Sequence, residues 1–105
     1  MRIEILHTAD CPNWRDTADL VTRVLTELNA SNTLLSFRTL HSPEEAASVL
    51  FAGSPTVLID GVDAFPANEQ TAELTCRIYR VGGRIAGVPA ADDLRAAISA
   101  ALRSE

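Results

Sequence analysis

The chain has 105 residues, 47% hydrophobic and 22% charged, with 14 acidic side chains against nine basic ones and a formal net charge of −5. That length suits one domain spanning residues 1–105, and the composition excludes a disordered chain. An acidic balance is a poor fit to a nucleic-acid partner, and no apolar run is long enough to cross a bilayer. Glu4 interrupts the first apolar residues, so the uncharged stretch and cleavage site of an export signal are missing and a cytoplasmic protein is expected.

Ile3, Ile5 and Leu6 follow Arg2 and Glu4, and the loose alternation predicts a strand over residues 2–6, ending near His7. The break Thr8-Ala9-Asp10-Cys11-Pro12 comes next. Proline suits the first helical position, where its missing N–H would be unpaired anyway. From Pro12 onward Trp14, Ala18, Val21, Leu25 and Leu28 recur at three and four, one face of an amphipathic helix ending near Asn29. Cys11 is then expected at or beside the N-cap.

Residues 33–40 read as a second strand. Ser42-Pro43-Glu44-Glu45 is a capping box with a proline start, which opens a short helix expected to run through Ala52 to a stop at Gly53. Ser54-Pro55-Thr56 leads into a third strand turned by Gly61. An irregular stretch is expected over 61–75, then a fourth strand over about 76–81, a hairpin signal at Gly82-Gly83 and a short fifth strand at 84–86. Leu94, Ile98, Ala101 and Leu102 form the face of a last helix, about Ala91 to Arg103, with Asp92 and Asp93 in its first turn. The expected class is α/β, in the order β-α-β-α-β-β-α, a central mixed sheet with helices on both faces.

Cys11 carries the strongest chemical signal. The thiolate is the reactive form of cysteine, and the unpaired N–H groups and partial positive charge of a helix start stabilise it. Arg15 one turn along would help, and Asp10 opposes it. Cys11 is expected to be the more exposed and more reactive of the two cysteines.

Cys11-Pro12-Asn13-Trp14 between the first strand and the first helix resembles the Cys-x-x-Cys site of the thioredoxin superfamily, and Ser54-Pro55-Thr56 resembles that superfamily's proline segment. The resemblance runs along essentially the whole chain. It implies a thioredoxin-like fold, a cis Ser54–Pro55 bond facing Cys11, and catalytic roles for Cys11 and Pro55 flanked by Pro12, Asn13, Trp14, Ser54 and Thr56. More narrowly, Cys-Pro-Asn-Trp, Ser-Pro-Thr-Val-Leu-Ile-Asp-Gly, Cys-Arg-Ile-Tyr and Gly-Val-Pro are similar to small bacterial thioredoxin-like proteins labelled thioredoxin family or alkylmercury lyase.

The departure from that pattern is Trp14, which stands where the superfamily keeps its second cysteine. A dithiol site resolves its own mixed disulfide; here resolution falls to a small cellular thiol, a partner protein's thiol, or Cys76. Two roles are open to Cys76: a second thiol, or a buried structural residue beside Ile78. With the fourth strand parallel to the first, its start lies at the sheet end opposite Cys11.

His7 and His41 end the first two strands and are expected as solvent-facing loop histidines, or as a Cys/His cluster for a soft metal. Trp14 is expected to pack on the core. Arg77, Arg80 and Arg84 read as charges protecting an edge strand. The resulting expectation is thiol–disulfide exchange by a single nucleophilic cysteine, an oxidoreductase chemistry with no cofactor and no resident metal. Its partner would be a low-molecular-weight thiol or a protein disulfide. The alternatives are a soft-metal thiol site of mercury type and a non-catalytic thioredoxin-fold module that binds a protein.

Overall fold

The structure, a computed structural model, describes residues 1–11, 13–30, 32–49, 51, 53–65, 79–81 and 84–103. Pro12 and Cys76 lie outside the described residues, as do Arg77 and the side chains of Arg80 and Arg84.

Strand β1 spans Arg2–Thr8 and helix α1 spans Trp14–Glu27. They are followed by β2, Leu34–Leu40, and by the five-residue α2, Pro43–Ala47. Strands β3, Thr56–Ile59, and β4, Val62–Asp63, come next. Strands β5, Tyr79–Val81, and β6, Arg84–Ala86, precede the last helix, α3, Ala91–Arg103. The protein is α/β, with one four-stranded mixed sheet in the order β2-β1-β3-β4. β1 runs parallel to β2 and antiparallel to β3, and β4 is antiparallel to β3.

Strand alternation divides the sheet into two faces. Ile3, Ile5, Val57 and Ile59 form one face and pack against Ala18, Val21, Val24 and Leu25 of α1 and Leu94 and Ile98 of α3. Leu6, Leu40 and Leu58 form the other face and meet Ala46 of α2 and Phe51. Helices therefore cover both faces, as the apolar spacing implies. Arg95 ties the two helices of the larger layer at their surface. Its guanidinium donates to Glu27 Oε2 at 2.8 and 3.0 Å and to Asp92 Oδ1 at 2.7 Å.

The local signals for helix ends hold where they are short in range. The Ser42 hydroxyl accepts the Glu45 amide at 3.2 Å, with Pro43 at the helix start. α1 ends on a Schellman motif: Asn29 takes a left-handed φ of 56°, the Ala30 amide donates to Leu25 O at 2.8 Å and the Asn29 amide to Thr26 O at 3.2 Å. α2 is shorter than the expected run to Ala52. It stops at Ala47, where the Ser48 and Val49 amides turn to acceptors three residues back, Glu45 O at 3.1 Å and Ala46 O at 3.4 Å, and Ser48 is the C-cap, so Gly53, with φ 108°, does not end it.

The second half holds the expected hairpin, with β5 antiparallel to β6, but differs in which strand completes the sheet. The sheet's fourth strand is β4, inside the stretch expected to be irregular. Asp60 and Gly61 have φ values of 50° and 84°, the signature of a two-residue type I′ turn, and Ile59 pairs directly with Val62. The chain expected as the fourth strand supplies β5 instead, which pairs with β6 in a separate two-stranded ladder. β4 is antiparallel to β3 and hence parallel to β1. The rest of the stretch 61–75, beyond Phe65, lies outside the described residues.

Candidate functional site: the turn between the first strand and first helix

β1 carries two residues beyond Leu6, and both matter. Thr8, the last, is a backbone hub. Its carbonyl accepts the Cys11 amide at 3.3 Å, which closes the turn, and accepts His7 Nδ1–H at 3.0 Å. Its own amide donates to the Ser54 hydroxyl at 3.0 Å. Ser54 is fully buried, and the Ser54–Pro55 peptide bond that follows it is cis, as the resemblance implies. The Ser54-Pro55-Thr56 segment is thus fastened to the turn that bears Cys11. Behind it, the Thr56 hydroxyl donates to Gly53 O, and the Tyr79 hydroxyl donates to Pro55 O at 2.6 Å.

Cys11 is a free cysteine and is buried, with 7% of its surface exposed. This corrects the expectation of an exposed thiol. It is also not the cap of α1. Asn13 holds that position and makes no side-chain cap bond; its carbonyl receives the Thr17 amide at 3.1 Å and the Thr17 hydroxyl at 3.0 Å. Cys11 stands two residues before the cap because its own amide is engaged in the turn to Thr8. Asn13 is also approached from the far end of the chain: a Cβ built on Gly87 would overlap its side-chain amide. A side chain at position 87 would therefore require the Asn13 amide to move aside.

His7 is not a loop histidine in solvent. It is 4% exposed, with its ring parallel to the Trp14 indole, centroids 4.3 Å apart and planes 10° from each other. Its Nδ1–H donates to Thr8 O, and its Nε2 lies 3.3 Å from the Thr39 hydroxyl, so both ring nitrogens have a partner. Trp14 continues the aromatic row to Phe37 at 5.6 Å and lies under the Arg15 guanidinium at 5.4 Å. It also packs on the main core, as expected. His41 is exposed beyond the end of β2 and does not join His7. Among the described residues no group of three or more His, Cys, Asp or Glu side chains could hold a metal ion, and no helix is long and apolar enough to cross a membrane.

The structure thus brings Cys11, Asn13, Trp14, Ser54, Pro55 and Thr56 to one end of the sheet, through β1, α1 and the start of β3. Reasoning from sequence missed Thr8, Thr39 and Tyr79 as supporting groups. It also placed His7 outside the core, although the alternation Ile3, Ile5, His7 sets all three on one face. No family model, no curated protein and no solved structure matches the chain.

Proposed function

We propose that this protein is a thioredoxin-like thiol–disulfide exchange protein whose nucleophile is Cys11. The observation that carries the reading is the Thr8–Ser54 hydrogen bond of 3.0 Å, which couples the cysteine-bearing turn to the Ser54–Pro55 segment. The strand order β2-β1-β3-β4, with α1 and α3 on one face and α2 on the other, supports a thioredoxin-like reading of the fold.

In the proposed step the Cys11 thiolate attacks one sulfur of a substrate disulfide. A bond forms between Cys11 Sγ and that sulfur, and the other sulfur leaves as a thiolate, which takes a proton from water. A small external thiolate then attacks the mixed disulfide, releases Cys11 and leaves with the substrate sulfur as a new disulfide. No electrons are gained or lost overall; the external thiol replaces one half of the substrate.

Trp14 fills the place of a local resolving thiol, so the mixed disulfide is the resting oxidised form. With 7% of Cys11 exposed, a small disulfide is a better substrate than a bulky one. Pro55 O already accepts the Tyr79 hydroxyl, so an extended substrate would meet a carbonyl with one of its two lone pairs in use. The test is incubation of the folded protein with the disulfide of a small thiol, followed by mass spectrometry of each cysteine. A stable adduct on Cys11 that forms faster than on Cys76, and is removed by the reduced small thiol, is the expected result. Folded protein in which Cys11 reacts no faster than Cys76 would leave the non-catalytic binding module as the better reading.

A further inference from the structure

β2 is an edge strand whose outer side has no partner among the described residues. The Leu34 amide donates to Met1 O at 3.3 Å on the β1 side. Backbone groups alternate sides along an extended strand, so Leu34, Ser36, Arg38 and Leu40 direct their N–H and C=O toward β1. Leu35, Phe37 and Thr39 direct theirs outward. The edge carries none of the usual protection. It has seven residues, no proline, no lysine and a single charge, Arg38. It also holds Leu34 and Phe37, 69% and 47% exposed, two of the three exposed large hydrophobic residues among those described.

We infer that this edge is a self-association surface, with the β2 strands of two copies paired antiparallel about a two-fold axis at Phe37. That register is the one that sets all three outward-facing residues against one another: Phe37 opposite Phe37 of the second copy, and Leu35 opposite its Thr39. Each facing pair exchanges two hydrogen bonds. On the α1 side the two Phe37 rings meet, each continuing the row from its own Trp14. On the α2 side Arg38 faces the small Ser36 of the second copy, whose in-sheet neighbour is Glu4. Arg38 lies 3.5 Å from its own Glu4, with the carboxylate side chain 29% exposed, so each Glu4 gains a second arginine across Ser36 and the charges complement one another. A register centred on Arg38 would instead oppose like charges. The same strands then form one continuous eight-stranded sheet, and the interface is isologous, as closed homodimers require.

Sedimentation equilibrium of the full chain over a concentration series, with amide hydrogen exchange read at single residues, tests the pairing. The expected species has twice the 11.3 kDa of one chain. The amides of Leu35, Phe37 and Thr39 should exchange about tenfold or more slowly when the protein is concentrated than when it is dilute. Phe37→Pro removes an outward N–H and the ring but no hydrogen bond to β1, so it should give a monomer with unchanged far-ultraviolet circular dichroism. A monomer at all concentrations overturns the inference. So does a dimer whose Leu35, Phe37 and Thr39 amides exchange at open-edge rates, or one that Phe37→Pro leaves intact, because the contact would then lie elsewhere. If Phe37→Pro does not fold, the exchange measurement on the unaltered chain still decides.

Discussion

The Ser54 hydroxyl accepts the Thr8 amide at 3.0 Å across 46 residues of chain. It is the direct tie between the start of β3 and the turn carrying Cys11. Ser54 is fully buried, so Ser54→Ala leaves the partly buried Thr8 amide without its partner. The expected loss is about 1–3 kcal/mol, measured by denaturant unfolding. Because the freed turn is the one that buries Cys11, thiol labelling of Cys11 in the folded variant should be faster than in the parent.

Tyr79 secures the same segment from the other side through Pro55 O at 2.6 Å. Tyr79→Phe retains the edge-on contact with Phe65, ring centroids 5.4 Å apart, and removes only the hydroxyl. A destabilisation of about 1–2 kcal/mol follows from a buried carbonyl deprived of that donor. Thermal unfolding of the pair of proteins, with Phe65→Leu as a packing control, separates the hydrogen bond from the ring contact.

Trp14 stacks on His7 and, in the proposed function, takes the place of a resolving thiol, and two variants divide these roles. Trp14→Ala should lower stability by about 2 kcal/mol, less than for a fully buried aromatic because Trp14 is only partly buried. Its mixed disulfide with a small thiol should persist. Trp14→Cys should lose the same stacking but discharge the mixed disulfide, as the new thiolate attacks the adduct, forms a bond to Cys11 and releases the small thiol. Mass spectrometry of the oxidised variants gives the outcome. A Trp14→Cys protein that folds and still accumulates the small-thiol adduct would count against the proposed placement of Cys11.

Arg95 gives a contrasting expectation. Hydrogen bonds to Glu27 and then Asp92 raise its guanidinium pKa above the ordinary arginine range. A raised value on a base means that the contribution is complete below the unfolded-state pKa and is lost only as pH rises through the folded one, so neutral and moderately alkaline pH leave it intact. The group lies at the surface, with 37% of its side chain exposed, where water and salt screen such pairs. Arg95→Ala should therefore shift the unfolding midpoint little at low salt and not measurably at high salt, despite three short contacts.

What the sequence determined by itself lies in signals that act over a few residues. Ser42, Pro43 and Glu45 set the start of α2 because a cap is a contact between neighbours. The spacing of Ala18, Val21 and Leu25, and of Leu94 and Ile98, identified the buried faces of α1 and α3 because helical periodicity maps directly onto burial. The Cys11 turn and the Ser54-Pro55-Thr56 segment were both visible as motifs. Even β4 had a local sign: Asp60-Gly61 between Ile59 and Val62 is a two-residue hairpin turn. Only the tertiary structure decided which strands pair, since alternation states which face of a strand is buried and is silent on its neighbour. That is why β4, and not β5, completes the four-stranded sheet, and why His7 is enclosed by Trp14 from α1 and Thr39 from β2. The burial of Cys11 has the same origin. Its position before a helix suggested an exposed thiol, but the turn it sits in is held inward by Thr8, and Thr8 by Ser54, contacts that exist only once distant segments have come together.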